Sequence, residues 1–296
     1  LRKALENQQF VVHYQPKVET GTNRVIGAEA LVRWRSPMHG LVAPASFIEI
    51  AEEAGLIAHI GEWVLMQACR QQRAWQEAGL PSIQMAVNVS SMQFREDHLL
   101  TAVVTAVKQT GIDPKLLQLE VTENLFMKNM NAARNTLECI RGLGATVAID
   151  DFGTGYSSFS YLRQLPVDSV KIDRSFVQDL GTKADDREIT RAIVNLARTL
   201  GVKTVAEGVE TKQQAEILAE MGCNEMQGFL YAPPVDANTM AKILKIGVIP
   251  PDSLAGKLAP FMPPTSSALA SGDVAQGSFD LHSQATLLAP IRVSDS

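Results

Sequence analysis

Short apolar, β-branched runs alternate along the chain with longer stretches whose apolar residues recur at helical spacing. The runs cover residues 10–13, 25–32, 83–89, 116–121, 146–149, 169–172, 203–205 and 224–227. Between most of them lie helical patterns. Residues 52–79 carry Ile57, Ile60, Val64, Ala68 and Trp75 near the 3.6-residue period, and 99–110, 130–143, 186–200, 212–221 and 237–244 read the same way. Gly79, Gly111, Gly142, Gly201 and Gly222 fall where helices commonly close in the left-handed conformation. Strands apolar on both faces and separated by helices predict a parallel sheet covered by helices. The first two runs differ, because residues 10–16 and 25–33 are joined by only a short polar stretch, 20–23, with no room for a helix. They predict an antiparallel hairpin. The expected fold is α/β: a modified (β/α)8 TIM-like barrel whose first strand runs antiparallel to the rest.

Composition supports one large folded unit and a separate tail. Of 296 residues, 46% are hydrophobic and 20% charged, which supplies a sizeable core and excludes global disorder. Residues 250–296 are different: Pro, Gly, Ser and Ala supply 24 of the 47, without a sustained period. This stretch reads as a flexible C-terminal tail. The remaining 1–249 match the ~250 residues of a typical barrel. The sequence starts at Leu1 without a signal-peptide pattern, so residues 1–7 are expected to be a lead-in helix from an upstream domain, and the location is expected to be cytoplasmic. A net charge of −5 argues against a grip on long nucleic acid. Cys69, Cys139 and Cys223 are an odd number without CxxC spacing, which excludes a disulfide framework and a thiolate zinc site. No apolar run reaches the ~20 residues that span a bilayer.

The polar residues that end the strand runs carry the chemistry. In order they are Gln15, Glu29 with Arg33, Asn88, Glu120 with Glu123, Asp150–Asp151, Lys171, Glu207 with Glu210, and Gln227. From Asn88 the intervals are 32, 30, 21, 36 and 20 residues, the beat of successive βα units, so a barrel brings these residues together at its C-terminal rim. A charge at one strand end is ordinarily a solvated loop start, but such a succession entering directly from apolar runs is a site. Glu29, Asn88, Glu120, Asp150, Asp151 and Glu207 offer only oxygen, which selects Mg2+ or Mn2+ over zinc or copper. Five acids suit two metals about 3.5–4 Å apart, the arrangement that activates water in phosphodiester hydrolysis. Consecutive strand residues point opposite ways, so Asp150 and Asp151 reach one site only where the chain turns. Lys171 is the lone cation expected on this rim. It either balances the acids or orients the attacking water, and its pKa should rise among them. Arg33 offers a planar fork to a phosphate or a rim salt bridge. Residues 151–158, Asp-Phe-Gly-Thr-Gly-Tyr-Ser-Ser, form a Gly-rich loop suited to a mobile element at the site.

These residues, in this order, resemble the EAL-domain cyclic-di-GMP phosphodiesterases. The resemblance covers about residues 1–247 and rests on Tyr14-Gln15-Pro16, Glu29-Ala30-Leu31-Val32-Arg33-Trp34, Pro44 with Phe47, Asn88-Val89-Ser90, Glu120-Val121-Thr122-Glu123, Asp150-Asp151-Phe152-Gly153-Thr154-Gly155, Lys171-Ile172-Asp173, Glu207-Gly208-Val209-Glu210 and Gln227-Gly228-Phe229. It implies opening of cyclic di-GMP to linear pGpG by a metal-activated water, with Glu29, Asn88, Glu120, Asp150, Asp151 and Glu207 as ligands of two Mg2+ or Mn2+ ions. It further implies that Lys171 engages the water, that Glu123 braces the Gly-rich loop, and that Glu210 and Gln227 support the site. Gln15, Leu31, Arg33, Pro44 and Gln227 would contact substrate. A homodimer, upstream sensor or GGDEF domains, and a regulatory loop of Phe152, Gly153, Thr154, Gly155, Tyr156 and Ser157 are implied as well. Two alternatives remain: a non-catalytic cyclic-di-GMP receptor, and another two-metal barrel phosphoesterase, against which the hairpin start and Glu29-Ala30-Leu31-Val32-Arg33 count.

Overall fold

The computed structural model describes residues 1–94, 98–123, 125–126, 130–154, 163 and 165–251. Gly155, Tyr156 and Ser157 of the expected regulatory loop, and all but the first two residues of the expected tail, lie outside the described residues.

A short helix α1 (Arg2–Glu6) leads into the long hairpin β1 (Phe10–Glu19) and β2 (Val25–Ser36). The further strands are β3 (Gly40–Val42), β4 (Gln84–Val89), β5 (Leu117–Thr122), β6 (Thr146–Phe152), β7 (Ser169–Ile172), β8 (Lys203–Ala206) and β9 (Glu225–Met226). The helices after α1 are α2 (Ile48–Glu53), α3 (Ile57–Glu77), α4 (His98–Thr110), α5 (Met130–Gly142), α6 (Arg174–Gln178), α7 (Ala184–Leu200), α8 (Lys212–Met221) and α9 (Ala237–Ile246). Strands β2, β4, β5, β6, β7, β8 and β9 follow one another in parallel pairs. β1 closes the ring, antiparallel to β2 on one side and to β9 on the other. The result is the expected eight-stranded barrel with one reversed strand. The small β3, which the hydrophobic pattern did not announce, is appended to the far end of β2.

Two local expectations are corrected. Residues 52–79 are not one helix, because Gly55 takes a positive φ of 68° and separates α2 from α3. Helical periodicity continues across such a turn whenever both helices face the same core. Gly142 does not close its helix either. It is the last residue of α5, and Gly144, with φ 105°, makes the turn.

The core runs around the barrel and under its helices, with Leu117, Leu119, Val121, Val147, Ile149, Val170 and Ile172 all buried. Strands β5 and β7 are buried along nearly their whole length because both of their faces are covered. At the rim after β8 and β9 two loops touch closely. Val209 donates its amide to the Gln227 carbonyl at 3.1 Å, and Leu230 donates to the Val209 carbonyl at 2.9 Å. Gly228 sits between these bonds, and a Cβ there would overlap the Val209 backbone. The loop after β8 is fixed from its other side by the capping box of α8, in which Thr211 and Gln214 exchange hydrogen bonds. Gln214 Oε1 also accepts the Glu210 amide at 2.8 Å.

Gly228→Ala should therefore destabilise the protein by about 1–3 kcal/mol, the usual range for forced overpacking. A thermal melt indistinguishable from that of the parent protein would show that the two loops separate freely.

Candidate metal and phosphate site

The rim residues converge on one ammonium group. Lys171 comes from the middle of β7 and is 1% exposed. Its Nζ lies 2.6 Å from Glu207 Oε1, 2.7 Å from Glu120 Oε2, 3.0 Å from Asp150 Oδ1 and 3.7 Å from Glu29 Oε2. These acids come from β2, β5, β6 and the position just after β8, so the barrel itself sets their spacing. Burial alone would lower the lysine pKa, but Glu120, Glu207, Glu29 and Asp150 outweigh it and hold it well above its ordinary value. That direction favours the ammonium over the free amine.

Glu29 is the most tightly held acid. Its Oε1 accepts from Asn88 Nδ2 at 2.6 Å and its Oε2 from Gln227 Nε2 at 2.6 Å. Gln227 Nε2 also reaches Gln15 Oε1 at 2.9 Å, and Gln15 Nε2 donates to the Ala232 carbonyl at 3.0 Å. Burial pushes the Glu29 carboxyl up, yet Lys171 and the two amides hold it below the usual carboxylate range. Register explains the grouping: Gln15 pairs with Glu29 across β1 and β2, and Asn88 pairs with Glu120 across β4 and β5.

Asp150 and Asp151 reach the site from within β6 rather than after its end. The β6–β7 register shifts between Ile149 and Phe152, and Asp151 takes a φ of 53°. This irregularity turns consecutive side chains toward one side, which regular alternation forbids. Asp150, Asp151 and Glu207 then offer oxygens within 4.8 Å of one another. Burial, then repulsion from Asp150 and Asp173, raises the Asp151 pKa. Burial and the neighbouring Glu29 push Glu120 up to about 7, and burial followed by repulsion from Asp150 raises Glu207 despite Lys171.

The donor set fits hard divalent cations. It is all oxygen, it carries more carboxylates than ammonium groups, and Gln227 Oε1 is buried without a hydrogen-bond partner among the described residues.

The other expected residues sit apart from this network. Glu123 lies in the turn after β5, with Oε2 buried and unpartnered among the described residues. Glu210 accepts from Arg174 Nη2 at 2.8 Å, on the loop after β8. Leu31 and Arg33 lie half-buried on β2 beyond Glu29, and Arg33 Nη1 donates to the Val32 carbonyl at 2.8 Å. Burial lowers the Arg33 pKa, against the pull of Glu29. Pro44 opens a 3-10 turn, Pro44–Ser46, after β3. Phe152 ends β6, with Gly153 and Thr154 following it.

Lys171 is not the only cation near the acids. Lys17, on β1, is fully buried inside the barrel, where Nζ lies 2.6 Å from Gln118 Oε1 and 3.4 Å from Glu120 Oε1. The strand pattern holds its signal. Gln15 and Lys17 are two apart on β1, as are Gln118 and Glu120 on β5, so each pair faces the barrel interior.

The chain is similar to known proteins in sequence and in fold. The family model described as EAL domain matches residues 1–234. The bifunctional diguanylate cyclase/cyclic di-GMP phosphodiesterase MucR of Pseudomonas aeruginosa is 48% identical over 240 residues, 81% of this chain and 35% of that protein. The cyclic di-GMP phosphodiesterase NbdA of the same organism is 42% identical over 245 residues, 83% of this chain and 31% of that protein. The chain thus spans about a third of the length of these curated relatives. A solved structure described as the PaMucR phosphodiesterase in complex with c-di-GMP superposes with a TM-score of 0.78 at 48% identity, covering 81% of this chain and 97% of that one.

Removing the central ammonium should leave buried like charges facing one another. In metal-free protein, Lys171→Met is expected to cost about 3–5 kcal/mol of stability, and added Mn2+ is expected to restore part of the loss. Equal melting temperatures of Lys171→Met and the parent protein in EDTA would contradict this electrostatic account.

Proposed function

The chain belongs to the EAL domain family, and on that premise we propose that it is a metal-dependent phosphodiesterase that hydrolyses cyclic di-GMP to linear pGpG. The observation that carries the reading is the Lys171 ammonium held among Glu29, Glu120, Asp150 and Glu207 beside the three converging oxygens of Asp150, Asp151 and Glu207. A site built only to bind a dianionic dinucleotide would gain from arginines and amides, not from an excess of carboxylates. The relatives named as cyclic di-GMP phosphodiesterases support the same substrate.

Glu29, Asn88, Glu120, Asp150, Asp151 and Glu207 would hold two Mg2+ or Mn2+ ions, whose chemistry when bound is to neutralise the carboxylate excess and acidify the attacking water. Lys171, kept protonated by the acids, donates hydrogen bonds from Nζ; it orients the attacking oxygen and steadies charge that builds on the phosphate. Asn88 and Gln227 fix both oxygens of Glu29, so that this acid keeps one orientation. Gln15, Leu31, Arg33, Pro44 and Gln227 are the substrate contacts in this reading, with Arg33 offering its guanidinium to a phosphate. Glu123 and Glu210 act behind the site, and residues 152–157 form the element that couples it to regulation.

Residues 1–249 are the catalytic module in this reading, linked to upstream sensor or GGDEF domains and working as a cytoplasmic homodimer. Among the described residues no helix is long and apolar enough to cross a membrane.

Purified protein with Mg2+ or Mn2+ should convert cyclic di-GMP to pGpG on chromatography, and size exclusion at several concentrations should show a dimer. Protein that binds both ligand and metal yet forms no pGpG would instead be a non-catalytic receptor. Lys171→Ala is expected to lower kcat by about 100-fold or more while changing cyclic di-GMP binding little. An equal loss in both would make Lys171 a binding charge only.

A further inference from the structure

Beneath the rim, a second lysine meets the same carboxylate from the opposite side. Glu120 is 1% exposed, and its two oxygens are divided: Oε2 lies 2.7 Å from Lys171 Nζ at the rim, and Oε1 lies 3.4 Å from Lys17 Nζ inside the barrel. Lys17 is anchored by its shorter bond to Gln118 Oε1 at 2.6 Å, and Gln118 Nε2 donates in turn to Ser169 Oγ at 3.1 Å. The chain β1–β5–β7 is therefore tied across the barrel by side chains that are all buried. Opposite Lys17 in the hairpin register stands Gly27, where a Cβ would come within 3.1 Å of Lys17 Cε. The missing side chain at Gly27 leaves the lane through which the lysine stem reaches β5.

Burying an ammonium far from water is costly unless its partners are fixed and charged. An apolar residue would fill this space at lower cost, so the polar network answers a need other than packing.

We propose that Lys17 is a positioning residue of the rim site: from within the barrel it engages Glu120 Oε1, which leaves Oε2 turned to the rim to serve metal and Lys171. The proposal rests on the metal-dependent reading above and extends it to a residue that touches neither substrate nor the reacting atoms. Lys17→Met removes the ammonium and keeps the length of the stem.

The test is Mn2+ uptake by metal-free protein, measured by titration calorimetry without substrate, together with kcat and KM for cyclic di-GMP. Lys17→Met should bind Mn2+ about 10- to 100-fold more weakly, the usual effect of losing a partner that orients a ligand. It should lower kcat at subsaturating Mn2+ while leaving KM unchanged, a split that a general loosening of the fold would not produce. Should Lys17→Met fail to fold, Lys17→Met combined with Gln118→Leu replaces both polar partners by apolar ones and avoids an orphaned amide. The same weakening of Mn2+ uptake is expected from it. Parental Mn2+ affinity in a folded variant would overturn the role of Lys17 alone, as would failure of both variants to fold, which would assign Lys17 to the fold. Absence of Mn2+ uptake by the parent protein would remove the metal reading itself, and the role of Lys17 with it.

Discussion

Five carboxylates crowded onto one barrel rim repel one another, and the structure is organised around containing that repulsion. Lys171 stands at the centre and meets four of the acids directly. Amides of Asn88 and Gln227 take up both oxygens of Glu29, and Lys17 takes up the inner oxygen of Glu120. Burial first, with repulsion among the carboxylates added to it, raises the pKa values of Glu120, Glu207 and Asp151. A partly exposed rim that gathers so many carboxylates is prepared for a hard cation, because such a partner removes the remaining repulsion without adding bulk.

The scaffold pays attention to orientation as much as to charge. Parallel pairing places Asn88 beside Glu120 and Thr122 beside Asp150 by register alone. Where register cannot serve, the backbone departs from regularity. The left-handed Asp151 breaks the alternation of β6, and Gly228 lets the loop bearing Gln227 lie against the loop bearing Glu207. Such departures are tolerated because the surrounding strands over-determine the positions of their neighbours.

Much of this was legible in the sequence, for identifiable reasons. The barrel and its reversed strand follow from apolar runs separated by helices, with one link too short to hold a helix. The rim acids were legible because each interrupts an apolar run at a regular interval. Lys17 was not, since the first strand was read only to Pro16 and Lys17 is the next residue along it. The split between α2 and α3 was hidden because both helices present apolar residues to one core. The route by which Asp150 and Asp151 converge was only half visible: their adjacency demanded a turn, but the turn lies inside the strand, at a φ value that composition does not reveal.

The two-sided pairing of β1 has a consequence for how the molecule is assembled. Gln227 and Gln15, which touch in the finished site, are 212 residues apart in the chain. The strand made first must stay open-edged until the strand made last arrives. Its interior lysine meanwhile waits for an acid that β5 supplies. Ring closure and completion of the site are thus one event, dominated by contacts of long sequence separation, and they fall late in folding. A chain interrupted before β9 would hold all five rim acids and yet have no closed barrel to aim them.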